Sequence, residues 1–249
     1  MRQPTGILLI ASLIFTACCV RLASADTAVY KADKLFLLRS DFSKAAEALE
    51  IYKSSYKAHP ADAQIAWRVS MACYFYGFEI AKTQEEKKKY FEEGREAGLA
   101  SISINPDSAP ACFWTAVNMA LYGQTAGVFK MLFTLGTVRG YLQKSLKHDP
   151  VYAYGGAYRI LGKIEQELPG ILGGSNEQAR QYYLKAIKAV PDEPLNYLFL
   201  SELQYRVFND KQGALETIEK ALSFPVPDIS RHESLWGLNE LKALKGRIQ

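Results

Sequence analysis

Groups that do covalent or metal chemistry are scarce in this sequence. Histidine occurs three times and cysteine four times in 249 residues. His59, His148 and His232 do not have metal-ligand spacing, which argues against a metal centre. His59 and His148 stand just before Pro60 and Asp149-Pro150, where an imidazole can face a helix C-terminus, and His232 falls in the first turn of the last helix. Neither Glu92-Glu93 nor the Glu165, Glu167 pair has a partner across a recognisable cleft. Gly170, Gly173 and Gly174 lack both a preceding strand and the lysine of a phosphate loop. No nucleophile with a base follows either, so the chain reads as a non-enzyme without a cofactor. Excess charge is small too. A net +4, with no basic stripe interleaved with aromatics, excludes a nucleic-acid footprint.

Long apolar runs are absent except at the start. Arg2 followed by the run from Gly6 to Val20 and by Ala23-Ser24-Ala25 has the three parts of a secretory signal, giving residues 1–25 as signal and 26–249 as the mature domain. Phe15-Thr16-Ala17-Cys18 also reads as a lipobox, with Cys18 the lipidated residue. Cleavage after Ala25 and anchoring through Cys18 both stay open; either places the mature chain outside the cytoplasm. The net charge then falls to +2, and Cys73 and Cys112 remain, read as buried thiols with a disulfide as the alternative.

What the sequence does contain is a repeat. Pro60, Pro106, Pro150 and Pro191 are followed by Pro225, at spacings of 46, 44, 41 and 34 residues. Five residues before the first four stands a small residue: Ser55, Ser101, Ser145 and Ala186. Trp67, Trp114, Tyr158 and Leu198 occupy a bulky position seven or eight residues after a proline. The stretch from Tyr158 to Pro191 carries Leu161, Gly162, Ala179, Tyr183 and Ala186 at the signature positions of a tetratricopeptide (TPR) hairpin. Small residues let two antiparallel helices approach, an aromatic fills the groove, and proline stops the second helix. Earlier hairpins exceed the ordinary length, which predicts inserted material at their tips. Lys82 to Glu96 reads as an exposed insertion helix. Residues 28–38 supply a first helix. After Pro227, Ser230 with Glu233 predicts a capping box, and Leu235, Leu238, Leu241, Leu244 and Ile248 predict a capping helix. The expected fold is all-α: a TPR-like helical-hairpin solenoid with inserted segments and a C-terminal capping helix.

One stretch departs from the pattern. Gln124 to Tyr141 combines Phe129, Met131, Leu132, Phe133 and Leu135 with Gly127, Gly136 and Gly140. A helix apolar on most of its circumference is either core or the wall of an apolar cavity. In the second case Phe129, Met131 and Phe133, with Tyr122, Trp114 and Tyr158, line a groove for a hydrophobic small molecule. The turn Leu168 to Ser175 carries Ile171 and Leu172 as its large residues. They either close over that cavity as a lid or staple their own hairpin. Pro169 should end the preceding helix, one of Gly170, Gly173 and Gly174 should supply a positive φ, and Ser175 with Gln178 should open the next helix.

Three stretches carry a family resemblance: Ala111-Cys112-Phe113-Trp114-Thr115-Ala116-Val117-Asn118, Gly155-Gly156-Ala157-Tyr158-Arg159-Ile160-Leu161-Gly162, and Leu168-Pro169-Gly170-Ile171-Leu172-Gly173-Gly174-Ser175. They resemble the T component of tripartite ATP-independent periplasmic (TRAP) transporters, TPR-like bacterial lipoproteins. The resemblance implies a periplasmic solenoid with a cleft for a hydrophobic or amphipathic ligand, a substrate-binding P component as partner, and assembly as a trimer. It implies contact with the membrane only through a lipid anchor at Cys18. The other reading is a periplasmic scaffold that binds proteins and no small ligand.

Overall fold

The computed structural model describes residues 27–249; residues 1–25, read above as a signal, and Cys18 among them lie outside the described residues. Eleven helices follow one another, with no strand, among those residues. They are α1 (27–37), α2 (Phe42–Ala58), α3 (Ala63–Phe75), α4 (Gln84–Ile104), α5 (Ala109–Thr125), α6 (Val128–His148), α7 (Tyr152–Glu167), α8 (Asn176–Ala189), α9 (Pro194–Arg206), α10 (Lys211–Leu222) and α11 (His232–Ile248). Five hairpins and a terminal helix result. The odd-numbered helices pack on one another in sequence from α3 to α11, forming the inner layer, and the even-numbered helices form the outer one.

The prolines act as their spacing predicts. Helices α2, α4, α6, α8 and α10 end two or three residues before Pro60, Pro106, Pro150, Pro191 and Pro225. Ser55, Ser101, Ser145 and Ala186, the small residues five back, are all buried. Ser101 uses its hydroxyl to donate to the Ala63 carbonyl at 2.8 Å, tying one hairpin's outer helix to its inner one. Capping residues set most starts: Asp62 accepts from the Gln64 and Ile65 amides, and Thr83 and Glu86 form a complete capping box. Ser175 caps α8 by accepting from the Gln178 amide, as expected.

Tyr183 shows why the repeat needs its small residues. Its ring is fully buried against the backbone of Gly162, in the space a Cβ there would occupy. Its hydroxyl donates to Gln166 at 2.9 Å. Cys73 and Cys112 are both buried and free, and burial raises each thiol pKa. α11 buries Leu238, Leu241, Leu244 and Ile248 over the last hairpin, as a capping helix should.

Two expectations are corrected here. The extra residues of the early hairpins do not form separate insertions. They lengthen the outer helices, to 21 residues in α4 and in α6 against 14 in α8 and 12 in α10, and add a π-helical turn at Tyr76–Ile80. Lys82 to Glu96 is therefore the connector and first turns of α4, with Phe91 and Gly94 turned inward. Nor does Ser230 cap α11. Its carbonyl and the Glu233 carboxylate are taken by Arg39 from the far end of the chain, so no side chain caps that helix.

Candidate interaction surface

The inner layer is closed by a long-range contact. Arg39, in the first hairpin's turn, donates Nε to Glu233 Oε1 at 3.0 Å, a second nitrogen to Glu233 Oε2, and Nη1 to the Ser230 carbonyl at 2.9 Å. Its guanidinium lies over the rings of Phe36 and Phe75, and the His232 ring meets Phe75 edge-on. The start of α11 thus touches residues nearly 200 positions earlier, bridging the two ends of the hairpin stack across its inner side. Burial works to raise the Glu233 carboxyl pKa, but the Arg39 bonds outweigh it and the net shift is downward.

A second polar cluster lies beside this bridge. Glu193 is completely buried and caps α9 by accepting from the Leu195 amide at 3.0 Å. It also accepts from Arg231 at 2.7 Å and from the Ser234 hydroxyl at 2.6 Å. Arg231 covers the Tyr154 ring. Tyr154, with Ala153 and Gly155, is in the left-handed region at φ of 55°, 49° and 77°, so the first turn of α7 is not a right-handed helix. Two non-glycine residues there cost about 1 kcal/mol each. Arg159 offsets that cost by donating to the Tyr154 carbonyl at 2.6 Å and the Ala153 carbonyl at 3.1 Å. It also donates to Asn196 Oδ1 at 2.6 Å, while Asn196 Nδ2 reaches the Ala186 and Val190 carbonyls at the end of α8. Burial lowers the Arg159 pKa. These residues hold the last two hairpins and the terminal helix in register. Sequence reading missed them because the partners that join the hairpins lie on other helices; only Glu193 before Pro194, an N-cap before a first-turn proline, gave a local signal.

The residues expected to line an apolar cavity are divided between partly buried and exposed positions. Trp114 is partly buried, with its indole donating to the Tyr152 hydroxyl at 2.7 Å and its ring against Tyr74. Tyr122 is partly buried beneath Arg95, Met131 is partly buried on α6, and Tyr158 is partly buried on α7. Phe129 lies outside the described side chains. Phe133 is 85% exposed. Ile171, at 94%, and Leu172 point into water in the loop between α7 and α8, so that loop is neither lid nor staple. The physical reason is the length of α6: it starts well beyond the end of α7, so its early turns have α5 on one side and solvent on the other. Val138 and Leu142, further along, are the residues that reach the core. Gly173 does supply the positive φ of that loop, at 87°. Two open concavities, of about 360 and 270 Å³, lie elsewhere and are polar; Lys53, Lys89 and Glu93 line the first, Asp33 and Arg68 the second.

Among the described residues no cluster of His, Cys, Asp or Glu is placed to hold a metal ion, and no helix is long and apolar enough to cross a membrane.

Comparison with known proteins identifies the lineage. A model of the family described as regulator of microtubule dynamics protein 1–3 matches residues 28–165. Regulator of microtubule dynamics protein 1 of Caenorhabditis elegans is 26% identical over 211 residues, covering 78% of this chain and 88% of that protein. Among solved structures, a thermophilic TPR protein of Thermus thermophilus superposes with a TM-score of 0.60 at 18% identity, over 86% of this chain and 99% of that one. The pilF protein of Pseudomonas aeruginosa superposes with a TM-score of 0.55 at 13% identity, over 90% of each chain. The two structural matches establish the TPR-like fold and nothing further. The family match overturns the resemblance to the TRAP T component; the three stretches that carried it lie in α5, in α7 and in the turn between α7 and α8. The bacterial periplasm falls with that resemblance, since the matching relative is a nematode protein. The P component and the trimer lose their basis as well.

Proposed function

The chain belongs to the regulator of microtubule dynamics protein 1–3 family, and from that premise we propose that it is a non-catalytic adaptor acting on microtubule dynamics by binding proteins. A TPR-like hairpin stack suits this role, because it presents long, rigid surfaces and no reactive centre. The observation that carries the reading is the bridge across the inner side. Arg39, Ser230 and Glu233 join the ends of the stack, so its outer layer and hairpin turns are the surfaces open to a partner. Those turns carry exposed Phe78, Ile171, Leu172 and Phe208, side chains that gain by being covered.

Purified tubulin tests the reading. Adding the chain at stoichiometric amounts should change the rate or extent of tubulin assembly followed by turbidity, and the chain should co-sediment with stabilised microtubules directly or through an added adaptor. Assembly curves unchanged at a several-fold excess of the chain, with no protein in the microtubule pellet, would overturn it.

A further inference from the structure

The outer layer is not uniform in charge. α2, α4 and α10 mix acids with bases, but α6 contains no aspartate or glutamate and α8 contains Glu177 alone. Glu177 is occupied by Arg180 at 2.8 Å. On α6, Arg139 is paired with Glu165 of α7 at 2.8 Å, and His148 with Asp107 at 3.2 Å. What remains is Lys130, Lys144 and Lys147 on α6 and Lys185 and Lys188 on α8, all exposed and none in an ion pair among the described residues. The two helices are successive in the outer layer and both pack on α7; Leu146 of α6 and Tyr182 of α8 lie against the same core cluster, which holds Leu142. The four lysines toward the ends of the helices therefore share one sector of the outer face.

The same face has a shape. Lys130, Phe133, Thr137, Gly140, Lys144 and Lys147 recur at three- and four-residue intervals, which puts them on one stripe of α6. Gly136 and Gly140 have open space where a Cβ would stand, so the middle of the stripe is low and Phe133 rises at one end. From Phe133 to Lys147 is roughly 21 Å at 1.5 Å per residue.

We propose that the α6/α8 face binds an acidic, amphipathic polypeptide segment, with Phe133 meeting its apolar side and Lys144, Lys147, Lys185 and Lys188 meeting its carboxylates. Charge complementarity selects this occupant, because the lysines are unpaired and neither helix itself holds an unpaired carboxylate against a partner's acids. The low centre of the stripe admits a helix backbone, which a flat anionic surface would leave unfilled. The proposal rests on the adaptor reading above and names the surface and partner class it uses.

The probe is a fluorescent synthetic peptide of about 16 residues, enough to span the stripe as a helix, with glutamates on one face and leucines on the other. Its counterpart has lysines for glutamates. Anisotropy should show the acidic peptide binding and the basic one not. Combining Lys144→Glu, Lys147→Glu, Lys185→Glu and Lys188→Glu should weaken binding by at least about 30-fold, and Phe133→Ser by about 5-fold. Reversing Lys211 and Lys242, exposed lysines elsewhere, should change it less than about 2-fold. Raising salt from about 50 to about 300 mM should weaken it further. Equal binding of the two peptides, or indifference to the four-lysine reversal in a variant with unchanged circular dichroism, overturns the proposal. So does binding only to phosphatidylserine-containing vesicles, which would assign the face to lipid. Tubulin assembly separates the two readings. If the reversed variant still acts on tubulin as the parent does, the microtubule role stands and this face is not its contact. If the parent leaves tubulin untouched yet binds the peptide through these lysines, the face stands and the microtubule role fails.

Discussion

Charged side chains on the two sides of the hairpin stack have opposite fates. On the inner side Glu193 is fully buried and receives three donors, and Arg39 is held by both oxygens of one carboxylate and a backbone carbonyl. On the outer side of α6 and α8, five lysines stand in water with no counter-ion among the described residues. Inner charges have given up hydration and depend on their partners, so they act in folding. Outer ones keep their hydration and contribute little to stability, so their clustering is free to serve association. The comparison predicts that substitutions on the two sides separate cleanly into those that change stability and those that do not.

The largest effect is expected at Glu193. Glu193→Ala strands the Leu195 amide and the Ser234 hydroxyl and leaves Arg231 with Asp192 alone. Breaking a buried charge pair from one side costs about 3 kcal/mol or more. Urea denaturation should show that loss at constant m-value. A loss below about 1 kcal/mol would mean the inner cluster is not held by its charges, and the contrast would collapse.

Next comes a purely steric test of the packing that positions both sides. Gly162→Ala gains about 1 kcal/mol of helix propensity. It also places a methyl where the Tyr183 ring lies, and that ring is buried and tethered to Gln166, so it cannot swing away. Overpacking costs about 1–3 kcal/mol and should win, for a net loss of about 1–2 kcal/mol by thermal or urea unfolding. A stabilised variant would show that the hairpin interface can relax.

The bridge between the chain ends is smaller again, because Glu233 is partly exposed. A double-mutant cycle with Arg39→Ala and Glu233→Gln should give a coupling of about 1 kcal/mol at neutral pH. The folded Glu233 carboxyl has a pKa below its unfolded value despite burial, through Arg39. Its contribution is therefore complete above the ordinary carboxylate range near about 4.3 and is lost as pH falls through the lowered folded value. The coupling should vanish there; one that persists at that acidity would assign the contact to the Phe36–Phe75–His232 rings instead.

How legible each side was from the sequence follows from the range of its contacts. Helix ends were legible because they are local: Pro60, Pro106, Pro150 and Pro191 stop helices two residues ahead, and Ser175 starts α8. Ala179, Tyr183 and Gly162 were legible because the repeat copies their environment. Arg39 was not, since its partners are nearly 200 residues away and no repeat predicts where the stack's ends meet. The apolar, glycine-rich run of α6 misled for a related reason. Its composition fits a buried wall, but burial there depends on whether α7 extends as far as α6, and α7 stops short. Phe133 is left in water for that reason.

The smallest expected effect is the most discriminating. Neutralising Lys144, Lys147, Lys185 and Lys188 to Gln removes four positive charges that no carboxylate in the described chain answers. Surface charges of this kind alter stability by no more than about 0.5 kcal/mol. Relief of mutual repulsion among like charges should even tilt the change slightly toward stabilisation at low ionic strength, an advantage that salt screens away. Thermal unfolding at low and high salt reads both terms. A melting temperature that is unchanged or slightly higher at low salt, and level with the parent at high salt, is what a sector kept for a partner should give. A fall of several degrees at either salt would mean that the lysines are bound to carboxylates of the chain itself, and the outer face would join the inner one as part of the fold.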